Sequence, residues 1–319
     1  MHAVGALSLV RLAALAIVLA TAARADDVPL APGEIVVADN GGRGFAGALY
    51  RMPIGGAPRH IETSAPLEIP TAVAIDRDGT LVVAEIRRDA PGRIVRVDPR
   101  TGALDVLADG WPLLTPMGVA IDDRGDVLIA DLDAGSRLDF ARGSLAGTGA
   151  VYRLPRGGTP MLLSQDCCRW NASALALMPK GRLAVVDMGF QVFQGDGTLT
   201  IVDATTGVQR PIATSRALLD PSGVAADALG TIYVTDATNP QVGPGAILAV
   251  EPRSGATTLL SSGAPITDPR GIALTVDGDL VVADSAAVAV YRVGFPERTF
   301  AVLAQGDPLV RPFGIAVAP

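Results

Sequence analysis

The chain has 319 residues and a formal net charge of −7, with 33 Asp and Glu against 26 Lys and Arg. That acidic balance makes nucleic acid and anionic membrane surfaces poor partners. There is one lysine, Lys180, and only two histidines, His2 and His60, which excludes a three-histidine metal site and leaves little for Schiff-base or histidine-based catalysis.

The first element is a leader. Arg11 precedes the apolar run LAALAIVLA (12–20), and Ala23-Arg24-Ala25 offers a small-x-small cleavage site before Asp26. The run is too short for a membrane span, so residues 1–25 read as a secretory signal peptide. Residues 26–319 read as one exported soluble domain, periplasmic or extracellular and monomeric. Losing Arg11 and Arg24 takes the mature charge from −7 to −9.

Next comes PGEIVVAD (32–39), a strand that ends in an acid. Gly42 to Gly47 matches G-x-G-x-x-G, but it lies between strands with no helix to follow, so it is not a dinucleotide site. His60 falls in APRHIET, an outer strand. Then a repeat begins: PTAVAIDRDGTLVVAE (70–85), PMGVAIDDRGDVLIAD (116–131), ASALALMPKGRLAVVD (172–187), PSGVAADALGTIYVTD (221–236) and PRGIALTVDGDLVVAD (269–284). Each is an apolar strand, a tight turn and a second apolar strand closed by an acid. The fragments DRDG and DDRGD sit in those turns, where Asp and Gly serve turn geometry, so they are not calcium loops. A third strand follows, as in GRIVRVDP (92–99) and GAILAVEP (245–252), and then a fourth, as in ALDVLAD (103–109).

Four short strands per unit describe a propeller blade. The closing acids Asp39, Glu85, Asp131, Asp187, Asp236 and Asp284 are 46, 46, 56, 49 and 48 residues apart, near the ~40–50 residue periods of propeller repeats. PGEIVVAD supplies a second strand without a first, and PFGIAVAP (312–319) a first strand without a second. Paired, they complete a blade and close the ring without a free sheet edge. The expected fold is all-β, a six-bladed propeller. The repeat P-x-G-h-A-h-D…G-x-h-h-V-A-D…G-x-h-x-R-V-D-P resembles the NHL repeat of six-bladed propellers, a superfamily that includes SMP-30/gluconolactonase-like proteins.

In such a ring, one mouth of the central channel, here called the top, gathers the starts of the first strands and the blade-to-blade loops. SQDCCRWNAS (164–173), which holds both cysteines, is one such loop. Blade 3 adds an enlarged loop, DLDAGSRLDFARGSLAGTG (131–149), carrying Arg137. Insertions on a rigid scaffold are where function is grafted. Export favours an oxidised pair, and adjacent Cα atoms ~3.8 Å apart would make a vicinal disulfide strained. Two thiols, or a soft-metal or redox site, stay open as alternatives.

The carboxylates gathered at one mouth leave a central cation such as calcium open, and the resemblance implies a divalent metal held by a Glu near the beginning of the propeller and by Asn or Asp at the x of P-x-G. Here that position holds Thr71, Met117, Ser173, Ser222, Arg270 and Phe313; none is a carboxylate or amide, and Arg270 repels a cation. The ring acids, one per blade, are expected to cap backbone N–H groups in the loop after each strand. The leading expectation is a binding module without a catalytic motif. It would take a small molecule or peptide at the mouth through those six residues together with Trp170, Cys167, Cys168 and Arg137, with Arg270 either meeting an anionic group of the ligand or pairing with Asp268 or Asp220. The alternative is a metal-dependent hydrolase or lactonase built on Asn171, Asp220 and Asp268. A protein-assembly scaffold using the outer faces is a third class, which no residue singles out.

Overall fold

The computed structural model describes residues 28–42, 44, 46–134, 149–165, 171–188, 197–214, 218–239, 243–295 and 298–319. Arg137, Cys167, Cys168 and Trp170, and with them the enlarged loop and the cysteine pair, lie outside the described residues. Among the described residues all regular structure is β, in six four-stranded antiparallel sheets.

Blade 1 contains β1 (Ile35–Asp39), β2 (Ala48–Met52) and β3 (Arg59–Ile61). Blade 2 runs from β4 (Ile69–Ile75) through β5 (Leu81–Ile86) and β6 (Arg93–Val97) to β7 (Leu104–Asp109). Blade 3 has β8 (Pro116–Ile121), β9 (Val127–Asp131), β10 (Ala150–Leu154) and β11 (Met161–Gln165). Blade 4 has β12 (Ala172–Met178), β13 (Arg182–Asp187), β14 (Thr198–Asp203) and β15 (Gln209–Thr214). Blade 5 has β16 (Pro221–Ala226), β17 (Ile232–Asn239), β18 (Gly243–Val250) and β19 (Thr257–Ser262). Blade 6 has β20 (Pro269–Leu274), β21 (Leu280–Asp284), β22 (Ala289–Gly294) and β23 (Thr299–Gln305). Finally β24 (Pro312–Val317) returns to pair with β1, Val37 opposite Ile315, as the half-units at the two ends of the repeat array require.

Second strands such as β1, β9 and β21 are buried at every residue. A blade flanked by blades on both sides has two dry faces, and this is why IVVAD, VLIAD and LVVAD are unbroken apolar runs. The core is accordingly divided into six clusters, one at each blade–blade junction. Val82, Ile94, Val119 and Ile129 join blades 2 and 3, and Val186, Leu199, Val224 and Val234 join blades 4 and 5. Each fully buried Val, Leu or Ile contributes ~1.5–3 kcal/mol.

Motif residues with no apolar area have contact roles. A methyl on Gly92, which opens the third strand of blade 2, would lie 2.2 Å from Cδ of Pro116, which starts blade 3. The recurring Gly and Pro are thus two halves of one inter-blade contact. The recurring arginine of the third strand pairs with acids at or near the first turn: Arg96 with Asp76 (2.9 Å), Arg153 with Asp122 (2.7 Å), and Arg292 with Asp279 (2.6 Å). DRDG and DDRGD therefore hold arginines. In blade 1 the same position, Arg51, takes Glu34 (2.7 Å). Burial pushes the Glu34 carboxyl up, but Arg51 and the Ala31 N–H together hold its pKa below the ordinary value.

Candidate functional site at the channel mouth

The site begins with an irregularity common to all six blades. Pairing between first and second strands skips the residue after the leading proline or alanine: Pro116 faces Asp131 and Gly118 faces Ala130, leaving Met117 unpaired. The same break falls at Thr71, Ser173, Ser222, Arg270–Gly271 and Phe313. A bulge re-aims its extra side chain, and here six bulges place the six x residues around one end of the axis.

Three of the six are fasteners. Thr71 Oγ1 donates to the Pro116 carbonyl (2.8 Å), Ser173 Oγ to Pro221 (3.1 Å) and Ser222 Oγ to Pro269 (2.6 Å). Each hydroxyl thereby binds the first strand of the following blade. In blade 6, where Arg270 has no hydroxyl, Ser285 Oγ donates to the Pro312 carbonyl (2.7 Å) instead. Met117, Phe313 and Arg270 remain as the partly open bulge residues.

The channel beneath them is narrow. A methyl on Gly223 would lie 2.1 Å from the Arg270 carbonyl oxygen, and one on Gly271 2.4 Å from that of Phe313. The glycine of P-x-G thus lets neighbouring first strands close on the axis. The cavity they leave is about 70 Å³, space for a few waters and far below the ~300–1,000 Å³ of ligand pockets.

At the mouth Arg270 is not free to meet an anion. Its Nη2 lies 2.7 Å from Asp268 Oδ1 and its Nη1 4.0 Å from Asp220 Oδ2, and the guanidinium sits over the Phe313 ring, 5.7 Å from the centroid. Its Nε is buried without an acceptor. One guanidinium between two carboxylates leaves the group with an excess negative charge. Burial raises the pKa of Asp220; Arg270 opposes that shift and Asp268 adds to it. The side chains of Arg270, Asp220 and Asp268 are 16, 21 and 22 % exposed, so the cluster is half-buried and within reach of a ligand.

The ring acids cap backbone, with a correction to which backbone. Asp236 accepts from the Leu219 and Asp220 N–H groups, Asp284 from Thr267 and Asp268, Asp39 from Val310 and Arg311, and Asp131 from Leu114 and Thr115. These donors precede the first strand of the same blade, because an antiparallel second strand ends where the first one starts. Donors after the strand are present too, as expected from the sequence: Gly41 to Asp39, Asp133 to Asp131 and Ala287 to Asp284. Glu85 caps Glu68 N–H and also takes Arg93 at 2.5 Å. Burial pushes Asp131 up to about 6 in spite of its backbone donors.

The donor set for a divalent metal does not fit. Asp220 and Asp268 clasp a guanidinium, the bulge positions offer hydroxyls, Met, Phe and Arg, and Asn171 is buried at the start of blade 4. Among the described residues no three His, Cys, Asp or Glu converge on a point. His60 is half-exposed on β3, 2.9 Å from Glu62 and against the Tyr50 ring. Lys180 lies in the β12–β13 turn with a positive φ. Among the described residues no helix is long and apolar enough to cross a membrane.

These features define a six-bladed β-propeller whose mouth carries a half-buried Arg–Asp–Asp cluster. No protein-family model and no curated protein matches the chain. Among solved structures it is similar to a chain of the nidogen/laminin complex, at 16 % identity and a TM-score of 0.69, over 90 % of this chain and 99 % of that one. At that identity the likeness concerns the fold alone.

Proposed function

We propose that the protein is an exported propeller of the NHL, SMP-30/gluconolactonase-like kind that binds a peptide or small molecule at the top mouth of its channel. The observation that carries this reading is the Asp268–Arg270–Asp220 cluster, with Phe313 beneath the guanidinium and Met117 elsewhere on the bulge ring. Charged groups held half-buried at a cleft are costly unless used or fully paired, and Arg270 keeps a buried N–H without a partner. The narrow channel puts the ligand on the mouth rather than inside it, which suits a chain segment laid across the rim. With two carboxylates to one guanidinium, the matching ligand carries both signs of charge, as a peptide does. The fold's likeness to a chain of a two-protein complex is compatible with a peptide ligand, and the expectation of export rests on the apolar run 12–20 and the Ala23-Arg24-Ala25 sequence that follows it.

The test is a titration of the isotope-labelled protein with short acidic, basic and zwitterionic peptides, followed by amide shifts. Mouth amides of blades 5, 6 and 1 should move with a zwitterionic peptide, and Arg270→Ala should abolish this while the melting temperature holds. Shifts confined to other faces, or chelator-sensitive lactone hydrolysis lost in Asp220→Ala, would overturn the reading.

A further inference from the structure

The turns joining third to fourth strands are not equivalent, and the difference opens a second site on the opposite face. In blades 2, 4 and 5 this turn starts with an acid, Asp98, Asp203 or Glu251, whose carboxylate accepts N–H groups of the turn. It closes over five residues, ending at Gly102, Gly207 and Gly255. Each of these glycines is driven against the preceding blade: methyls there would lie 1.9 Å from the Glu62 carbonyl oxygen, 1.8 Å from that of Leu163 and 1.8 Å from that of Ile212. The turn therefore plugs the cleft between two blades.

Blade 3 has Pro155-Arg156-Gly157-Gly158 in that place. The turn closes over four residues, Gly158 N–H donating to the Pro155 carbonyl, and a methyl on Gly157 would meet nothing within 4 Å. The cleft between blades 2 and 3 stays open at about 470 Å³, within the range of small-molecule sites. Its apolar walls are Val106, Leu107, Val127, Leu154 and Pro155, and Val106 is 50 % exposed.

Two guanidiniums line the same cleft, and both are anchored. Arg96 Nη1 and Arg156 Nη2 share one carboxylate oxygen, Asp76 Oδ2, at 2.9 and 3.1 Å, and the Asp76 side chain is 1 % exposed. Arg156 reaches that acid by crossing over Gly125, where a methyl would lie 2.2 Å from its Nε. One buried carboxylate thus holds two guanidiniums, and among the described residues the bonds of Arg156 run from Nη2 to Asp76, which leaves its Nε–H and Nη1–H groups for a ligand. Of the further acids, Asp78 is 3.7 Å from Arg96 and already accepts from the backbone and hydroxyl of Thr80, and Asp105 stands opposite Arg96 in the β6–β7 pair without forming an ion pair within 4 Å of it among the described residues.

We infer that this cleft binds a small amphipathic anion, its acid group on Arg156 and Arg96 and its apolar body along Val106, Leu107 and Leu154. Charge complementarity fixes the sign of the ligand, and the apolar walls fix its tail. Blade 1 carries the same turn, Pro53-Ile54-Gly55-Gly56, with Ile54 where blade 3 has Arg156, and so lacks the charged end.

Decanoate is the probe, titrated into the full mature chain and followed by calorimetry and amide shifts below its micelle concentration. Acetate and decyltrimethylammonium serve as the tail-less and charge-inverted controls. Decanoate should bind with one-to-one stoichiometry and shift amides of Val106, Val127 and Gly157, while both controls fail. Arg156 is 57 % exposed, so Arg156→Gln should fold normally and weaken binding about ten-fold or more. Val106→Asp should abolish binding, and Arg270→Ala at the far mouth should leave it unchanged. Absence of binding, equal binding of the cationic detergent, or full affinity in a folded Arg156→Gln protein would overturn the inference.

Discussion

Placing a methyl at the glycine of P-x-G tests whether close approach of the first strands holds the ring together. Built on the backbone, it would lie 2.1 Å from the nearest atom at Gly223, 2.4 Å at Gly271, 2.7 Å at Gly314 and 3.0 Å at Gly118. All four nearest atoms belong to backbone of the next blade, which cannot swing aside as a side-chain tip would. Overpacking of this kind costs ~1–3 kcal/mol, and Gly→Ala returns ~0.4–1 kcal/mol by restricting the unfolded chain. Gly223→Ala should therefore lose about 2 kcal/mol net, Gly271→Ala and Gly314→Ala progressively less, and Gly118→Ala about zero. Urea unfolding of the four variants, followed by tryptophan fluorescence, reads this order directly. A Gly118→Ala protein destabilised as much as Gly223→Ala would refute the close-approach account. So would four variants indistinguishable from the parent.

Three further outcomes follow from the same geometry. Burial pushes Asp131 up to about 6, above its unfolded value, so the folded state binds the extra proton and its stability falls as pH rises through that window; relative to Asp131→Asn, the parent should lose roughly 2 kcal/mol between pH 4 and 7, and parallel stability–pH curves would contradict this. Ser222→Ala leaves the buried Pro269 carbonyl without its 2.6 Å donor and should cost about 1–3 kcal/mol by chemical denaturation; a neutral result would mean the hydroxyl is no fastener. Treatment with a chelator should leave the melting temperature unchanged, since a guanidinium occupies the space between Asp220 and Asp268, and a fall of several degrees would restore the metal reading.

The blades were legible because their signals are periodic and chemically distinct. Apolar runs such as LVVAD mark strands with two dry faces, and the Gly and Pro of the repeat mark a close inter-blade contact, seen at Gly47–Pro70, Gly92–Pro116 and Gly197–Pro221. The ring acids were legible as backbone caps, although which backbone they cap depends on the direction of the partner strand. The bulge was not legible, because x in P-x-G varies from Thr to Phe and the break in register is a property of two paired strands. For the same reason Thr71, Ser173 and Ser222 could be placed near the mouth, while their engagement with the next blade's carbonyls could not. Arg270 posed a different difficulty. Asp268 is two residues from Arg270 in the chain and Asp220 takes the equivalent place one blade earlier, but only the ring's curvature decides whether they face a guanidinium or a ligand. The open cleft left a trace that passes easily for an ordinary turn: Pro155 where blades 2, 4 and 5 have an acid.

The pairing of β24 with β1 has a consequence in time. Residues 35–39 are made early and acquire their innermost neighbour only when residues 312–317 exist. Until then five blades can form, but the ring stays open, with the apolar faces of blade 1 and blade 6 exposed to one another and to solvent. Closure thus cannot precede the synthesis of residues 312–317, whatever the order in which the blades condense. A nascent chain stalled before residue 312 should therefore be protease-sensitive and chaperone-bound, and release of the final strand should convert it to a resistant form.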